Sequence, residues 1–241
     1  MSGAAPRTAH RFGPRWFGNS TLPPRSALLE AALIAIALSA FVLLGRLYQV
    51  SAFAAFDAAG LHVAAQVRSP GLDRLATFIT SFGSEWLWPV SLLLVLMLVW
   101  LRRLPSAVAL LVVVAGVQPL NDLLKTIYHR ARPMEFGSGA QAFSFPSGHA
   151  MAAGAVYGLL AILAWRELSG RWRWLATGVC LGLAVAIALT RPYLGVHYPT
   201  DVAAGLLAGG LWADVVLLVW RAISTRRPRW WSQHHRSRSP T

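Results

Sequence analysis

Residues 174–201 read WLATGVCLGLAVAIALTRPYLGVHYPTD, an apolar run followed at once by a short polar stretch. The part from 174 to 190 carries no charged side chain. At about 1.5 Å per helical residue it approaches the roughly 20 residues that cross ~30 Å of hydrocarbon. The polar stretch contains Arg191, His197 and Asp201, three reactive side chains. The segment therefore predicts a membrane helix that ends at a chemical site.

The rest of the chain repeats this apolar pattern. Hydrophobic residues make up 56% of the 241 residues and charged residues 13%, well below the roughly 25% charged residues of an average soluble domain. Apolar runs predict six membrane helices, over 27–48, 82–101, 105–124, 149–166, 174–190 and 200–221. The expected fold is all-α, an integral membrane bundle of six transmembrane helices within residues 27–221, between basic tails at 1–26 and 222–241. The first run is longer than the ~7–15 residues of a signal-peptide core, so we interpret it as a retained helix.

The net charge of +13 raises the question of a nucleic-acid partner. Most of the arginines, however, fall in the two tails and in two short connections, 102–104 and 166–173, which share one side of the membrane if the spans are numbered in order. The positive-inside rule then predicts that both termini are cytoplasmic. Topology explains the charge, so no nucleic-acid partner is expected. The single cysteine, Cys180, excludes a disulfide within the chain.

Three connections lie on the opposite, outer side in this topology. Residues 49–81 include a mildly amphipathic segment, Phe53 to Val67, which predicts a helix along the outer surface. Residues 125–148 contain a polar run at 137–141 and are typical of a loop over a site. The third connection is the stretch after Arg191. Ends of several helices that carry reactive residues therefore meet at one face.

Reactive side chains on this face form three clusters, Lys125-x6-Arg132-Pro133, Pro146-Ser147-Gly148-His149 and Arg191-x5-His197-x3-Asp201. In order, internal spacing and placement they resemble the tripartite signature of the type-2 phosphatidic acid phosphatase superfamily. The resemblance covers about residues 75 to 215, and three linked motifs are far more specific than one. One departure is Thr190, where the family usually has Ser. A hydroxyl is kept, so only the fine geometry of a phosphate pocket is affected.

Lys125, Arg132 and Arg191 supply the fixed positive charge that phosphoryl transfer requires, because negative charge spreads over the equatorial oxygens of the transferring group. Lys125 is the only lysine, which suggests a need for a compact ammonium group. Arg130 is not part of any of the three motif spacings, and we interpret it as a solvated loop charge.

Ser147 is expected to be the N-cap of the fourth span, with Gly148 allowing a ligand to approach the backbone closely. The sixth span also starts on the outer side, so two helix N-termini are predicted to converge on one phosphate.

His149 and His197 are the pair of histidines that phosphoryl transfer needs, one as nucleophile and one as general acid. Asp201 follows His197 by four residues and is expected to hold its Nδ1 proton, which presents Nε2 to phosphorus. The resemblance implies that His197 is the nucleophile, that His149 protonates the leaving oxygen and that Asp201 orients His197.

The outer segments offer no cluster of metal ligands, so we expect no metal and no cofactor. Two further carboxylates lie in or near the membrane. Glu85 is expected to pair with a loop arginine, and Asp214 to be satisfied by neighbouring polar groups or by Arg221.

The expected activity is therefore a phosphatase of the bacterial cytoplasmic (inner) membrane, with a periplasmic active site and membrane lipids around it. Its substrate is expected to be a lipid phosphate of the outer leaflet, with undecaprenyl diphosphate the best fit among the activities of the family. Phosphatidylglycerophosphate and phosphatidic acid are alternatives, and so is a phosphotransferase with the same intermediate. A channel or transporter is a rival without chemistry, although its charged residues would be expected nearer the midplane. The sequence favours no oligomeric state.

Overall fold

A computed structural model describes residues 24–133 and 143–225. Within these ranges the chain is all-helical, as expected. Eight helices follow one another: α1 (Pro24–Leu47), α2 (Ser51–Gln66), α3 (Pro70–Ser81), α4 (Leu87–Trp100), α5 (Leu104–Tyr128), α6 (Gly148–Glu167), α7 (Gly170–Tyr193) and α8 (Pro199–Thr225). The polar run 137–141 and most of both tails lie outside the described residues.

Five of these helices are long and apolar enough to cross a membrane: α1, α5, α6, α7 and α8. The predicted span 82–101 is not confirmed. Only Leu87–Trp100 is helical there, and 14 residues at about 1.5 Å each extend for about 21 Å, less than the ~30 Å of hydrocarbon. Its predicted first residues form the turn that joins α3 to α4. The chain is therefore a helical membrane protein with five candidate spans and one shorter apolar helix.

Helix α6 lies at the centre of the bundle and packs against α5, α7 and α8. Its contact with α8 is especially close. A Cβ at Gly209 would lie 2.1 Å from the carbonyl oxygen of Met151, and one at Gly205 would lie 2.6 Å from that of Ser147. Small residues allow such an approach between helices in a membrane. It brings the N-termini of α6 and α8 side by side, and the backbone N–H of Ser147 donates to the carbonyl oxygen of Asp201 at 3.0 Å.

Two short helices cover the same end of the bundle, which we call the site end. Helix α2 coincides closely with the predicted surface segment. Helix α3 was not predicted as a separate element. It begins after Ser69, whose hydroxyl accepts from the backbone N–H of Leu72 at 3.4 Å, and Pro70 suits its first turn. Tyr193 donates to Asp73 at 2.8 Å and so attaches α3 to α7.

The opposite end of the bundle is held by its own ion pairs. Arg221 in α8 donates to Glu30 in α1 at 2.9 Å, and Arg103 pairs with Glu167. The expected influence of Arg221 on Asp214 is present as an interaction of charges, to which Arg166 also contributes, while the hydrogen bonds of Arg221 go to Glu30. Asp214 lies on the same helix as Arg221, two turns away, and takes no part in the site end.

Candidate active site

A cavity of about 240 Å³ opens at the site end. Six residues of the three sequence clusters line it: Lys125, Arg132, Gly148, His149, Arg191 and His197. Two further predicted site residues, Ser147 and Asp201, are fully buried beside it and do not line it. The structure thus brings together residues that are far apart in the sequence.

Helix ends position these side chains. Lys125 stands in the last turn of α5, which stops at His129 in a left-handed conformation (φ 49°). His149 is in the first turn of α6, and Arg191 in the last turn of α7. His197 lies in the short connection from α7 to α8. Three helix ends and one connection that meet at the site end therefore supply side chains to one cavity.

The three cations are held differently. Arg191 is buried, and its Nη1 donates to the hydroxyl of Thr80 in α3 at 2.9 Å. Arg132 donates to the carbonyl oxygen of Val196 at 3.3 Å. Burial lowers the pKa of Arg132, while Asp201 opposes that shift, and a guanidinium stays charged at any working pH. With Lys125, these groups make a cavity of positive potential that favours a multiply charged anion.

Ser147 occupies the N-cap position of α6, as predicted, but its side chain makes no capping hydrogen bond. Its hydroxyl is buried without a hydrogen-bond partner among the described residues. The expectation that two helix N-termini converge on one phosphate stays a prediction for α6, whose Gly148 lines the cavity, and is wrong for α8. At α8, the backbone N–H of Thr200 donates to Asp57 at 2.9 Å and that of Tyr198 to Asp201 at 2.9 Å. Carboxylates of the protein, rather than a ligand, therefore occupy the N-terminus of α8.

His197 and Asp201 are connected through a residue that the sequence did not single out. The Nδ1 atom of His197 lies 3.6 Å from Oδ2 of Asp201, longer than an ordinary hydrogen bond. The hydroxyl of Ser144 lies between them, 3.2 Å from Nδ1, and donates to Oδ2 in a short contact. Ser144 comes from the segment before α6 and is fully buried.

The hydrogen-bond count of this trio determines the tautomer of His197. A serine hydroxyl has one hydrogen, and here it goes to the carboxylate of Asp201. The hydroxyl oxygen must then accept from Nδ1–H of His197, which leaves Nε2 without a proton. Burial lowers the pKa of His197 to about 4, although Asp201 acts in the opposite direction. The ring is therefore neutral near pH 7, with Nε2 free to act as a nucleophile.

Arg130 is not a solvated loop charge, which corrects the sequence interpretation. Its side chain is only 6% exposed and reaches two carboxylates, Asp57 and Asp201, each at 2.6 Å. Asp57 is itself buried although it lies in the surface helix α2. No motif marked either residue, because Arg130 lies 73 residues from Asp57 and 71 residues from Asp201 in the sequence.

Asn121 is a further lining residue that the sequence analysis missed. It lies one helical turn before Lys125 and is 1% exposed. Its Nδ2 donates to the carbonyl oxygen of Pro146 at 3.3 Å, whereas its Oδ1 has no hydrogen-bond partner among the described residues. Its spacing of four from Lys125 on one helix was the only available signal.

Glu85 and Thr190 have peripheral roles in this geometry. Glu85 is exposed, and a hydrogen bond from Ser84, followed by the charge of Arg191, lowers its pKa. The predicted ion pair with a loop arginine is not seen among the described residues, and Glu85 instead interacts with the charge of Arg191 in the last turn of α7. The hydroxyl of Thr190 donates to the carbonyl oxygen of Ile187 in its own helix at 2.6 Å. At the position where the family usually has Ser, the hydroxyl of Thr190 therefore faces the backbone of its own helix, and Thr190 does not line the cavity.

Comparison with known proteins identifies the family. Residues 106–228 match the family model of the PAP2 superfamily. Phosphatidylglycerophosphatase B of Bacillus subtilis is 31% identical over 177 residues, which cover 70% of this chain and 85% of the relative. An undecaprenyl-diphosphatase of Sulfolobus acidocaldarius is 32% identical over 150 residues, covering 57% of this chain and 66% of the relative.

A solved structure shares the fold. The crystal structure of a transmembrane PAP2 type phosphatidylglycerolphosphate phosphatase from Bacillus subtilis superposes with a TM-score of 0.72 at 29% sequence identity, covering 80% of this chain and 98% of the other. Family model, relatives and structure all point to one family, the family that the three motifs resemble. The chain therefore belongs to the PAP2 superfamily and is a membrane phosphatase, a phosphoric ester hydrolase.

Proposed function

We propose that this phosphatase hydrolyses a lipid phosphate or diphosphate through a phosphohistidine intermediate at His197. The observation that carries the proposal is the cavity in which Lys125, Arg132, Arg191 and both histidines meet. Three fixed cations suit the charge that develops on a transferring phosphoryl group. A neutral imidazole with a free Nε2 suits the attack.

The reaction has two steps. Nε2 of His197 attacks phosphorus, the bond to the leaving oxygen breaks with its electron pair on that oxygen, and the imidazolium form of His149 donates a proton to it, leaving neutral His149. Water then attacks the phosphorus of the phosphohistidine while His149 takes a proton from that water. The nitrogen–phosphorus bond breaks, its electron pair returns to His197, and inorganic phosphate leaves. The carboxylate of Asp201, through Ser144, stabilises the positive charge on the ring during both steps.

The cavity lining supports a lipid as the substrate. Beside the cations, apolar side chains of α4 and α5 line it, namely Leu87, Trp88, Val114 and Val117. A charged head and an apolar wall together suit an amphiphile whose phosphate is at the membrane surface. A free sugar phosphate would leave this wall without a partner.

Undecaprenyl diphosphate remains the best candidate substrate, at the outer face of the membrane. The Sulfolobus relative supports it by name. Phosphatidylglycerophosphate is the second candidate, favoured by the Bacillus relative and by the Bacillus structure. Phosphatidic acid is a third. Selectivity among them depends on the apolar wall and not on the cations, since all of them present a terminal phosphate.

Two chemical alternatives differ in the second step or in the catalyst. A phosphotransferase would pass the phosphate to an acceptor hydroxyl instead of water. A metal-dependent phosphatase would need convergent ligands, and within residues 24–133 and 143–225 no three His, Cys, Asp or Glu side chains come together in a way that could hold an ion. We therefore propose a hydrolase whose positive charges are side chains. The channel or transporter is set aside, because the family is enzymatic.

The test is phosphate release by purified protein from the three lipids, with and without excess EDTA. We expect release in EDTA, inhibition by vanadate as a mimic of five-coordinate phosphorus, and recovery of all lost phosphate as the inorganic ion. The His197→Ala variant is the matched control. Loss of activity on chelation with recovery on adding Mg²⁺ would refute the metal-free mechanism, and a shortfall of free phosphate would indicate a transferase.

A further inference from the structure

A buried group of three charged residues and one threonine lies next to the residues that line the cavity. Asp57 of α2, Arg130 of the segment after α5, and Thr200 and Asp201 of α8 are each 6% exposed or less. None of the four lines the cavity. The group joins three chain segments and ends at the carboxylate that holds His197 through Ser144.

Its contacts form a continuous path. Nη2 of Arg130 donates to Oδ2 of Asp57 at 2.6 Å, and Nη1 donates to Oδ1 of Asp201 at 2.6 Å and to the hydroxyl of Thr200 at 2.7 Å. Thr200 in turn donates to Asp57 from its hydroxyl at 2.6 Å and from its backbone N–H at 2.9 Å. One arm of the guanidinium therefore holds Asp201, and the other is held by Asp57.

Aromatic rings restrict the plane of the guanidinium. The Cζ atom of Arg130 lies 4.5 Å from the ring centroid of Tyr48 and 4.1 Å from that of Tyr198. Stacked rings and a forked donor leave Arg130 few alternative rotamers. A buried carboxylate that lost this partner would be left without a compensating charge. The position of Asp201 is thus determined on one side by Arg130 and on the other by Ser144 and the N–H of Tyr198.

We infer that Asp57 and Arg130 are positioning residues for phosphoryl transfer: they fix Asp201, and through Ser144 they fix the ring of His197 for attack on phosphorus. The inference rests on the proposed function. It makes α2, a helix on the surface of the bundle, a required part of the active site. Because neither side chain touches the cavity, substrate binding by Lys125, Arg132 and Arg191 does not depend on them.

The test compares Asp57→Asn and Arg130→Lys with the wild type. Asn keeps an acceptor for the N–H of Thr200 but not the charge, and Lys keeps the charge but cannot bridge two carboxylates. A misplacement of about 1 Å can cost on the order of 10²-fold. We expect kcat to fall by roughly 10- to 100-fold in both variants, with KM and inhibition by inorganic phosphate within about threefold of the wild type. The loss should be the same on lipid and aryl phosphates, because attack is impaired rather than departure of the leaving group.

Asp73→Asn is the matched control. Asp73 also pairs with an arginine, Arg68 at 3.2 Å, at the same end of the protein but on the surface. It should retain the kcat of the wild type. A loss of kcat in Asp73→Asn equal to that in Asp57→Asn would overturn the inference, and so would an unchanged kcat in Asp57→Asn.

A double-mutant cycle separates positioning from general damage to the fold. If Asp57 acts through Asp201, then Asp57→Asn should change kcat by less than about twofold in an Asp201→Asn background, since residues of one network are not additive. Full additivity of the two losses would mean a structural role and would reject the inference.

A spectroscopic measurement tests the positioning of His197 without any substrate. Ring ¹⁵N resonances of the protein in detergent, assigned with His197→Ala, should show the Nδ1–H tautomer of His197 in the wild type and a mixture of tautomers in Arg130→Lys. An unchanged tautomer would contradict the relay through Asp201. If Arg130→Lys changes the tautomer as expected but the wild-type protein hydrolyses no lipid phosphate, the proposed function is refuted and the positioning of His197 is not.

Discussion

The hydroxyl oxygen of Ser144 lies 3.2 Å from Nδ1 of His197, and its single hydrogen is directed to Asp201. The dyad expected from the spacing of His197 and Asp201 is thus a chain of three groups. A hydroxyl inserted between acid and imidazole fixes the ring tautomer, as a direct carboxylate contact would. It also moves the negative charge further from the ring.

Ser144→Ala is expected to reduce kcat by about tenfold with little change in KM. The ring loses its acceptor, but Asp201 at 3.6 Å is close enough to replace it after a small shift. Steady-state rates on one lipid phosphate measure this. Ser144→Thr, which retains the hydroxyl, serves as the control. A drop as large as that of His197→Ala would mean that the Asp201 carboxylate cannot substitute for the hydroxyl.

The two histidines are expected to fail differently when the leaving group changes. His197→Ala removes the atom that attacks phosphorus, so it should be inactive on every substrate. His149→Ala removes a proton donor, worth about 10²–10⁴-fold for a poor alkoxide leaving group. With p-nitrophenyl phosphate, whose leaving group needs little protonation, it should form the phosphohistidine at much of the wild-type rate, measured as the initial burst of p-nitrophenol, while hydrolysis of that intermediate stays slow. Rescue of His197→Ala instead would reverse the two roles.

The sequence predicted the residues that line the cavity better than the residues that hold them in place. Lys125, Arg132, His149, Arg191 and His197, which line the cavity, were all identified because they stand at the fixed spacings of three motifs. The supporting contacts carry no such spacing.

Arg130 shows why. Its three polar partners come from α2 and α8, and only folding brings those helices to the segment after α5. A buried Asp57 in a mildly amphipathic helix resembles any other polar residue of a surface helix until its neighbours are known. The shortness of α4 was equally hidden, because hydropathy records apolar length and not where a turn ends the helix.

The pH behaviour of His197 follows from its burial. A pKa of about 4 in the folded protein, below the ordinary 6.5, means that the fold favours the neutral ring. This group therefore contributes stability above about pH 6.5, and the contribution is lost as the pH falls from 6.5 toward 4. We expect ring ¹⁵N shifts of His197 to remain those of a neutral imidazole from pH 7.5 down to about 5. A protonation midpoint near 6.5 would mean that burial does not shift this residue.

Orientation in the membrane can be measured with single cysteines. In a Cys180→Ala background, we expect a cysteine at Val67, exposed at the site end, to react with an impermeant thiol reagent added outside intact cells. A cysteine at Arg102, in the turn between α4 and α5, should react only after the cells are opened. Arginines concentrated at the end that carries Arg102 support this orientation. The reverse pattern would place the cavity in the cytoplasm and remove the argument for an outer-leaflet substrate.

Asn121, whose Oδ1 has no hydrogen-bond partner in the part of the chain that the structure describes, offers a test of where the phosphate binds. Asn121→Asp is nearly isosteric and adds a negative charge one turn from Lys125, in a cavity where charge is poorly screened. We expect KM for a lipid phosphate to rise by at least about tenfold with a smaller change in kcat. Gln118→Glu adds the same charge to the same wall, but about 4.5 Å further from Lys125 along the axis of α5. Its effect should therefore be several-fold weaker. Equal effects of the two substitutions would mean that the phosphate is not held next to Lys125.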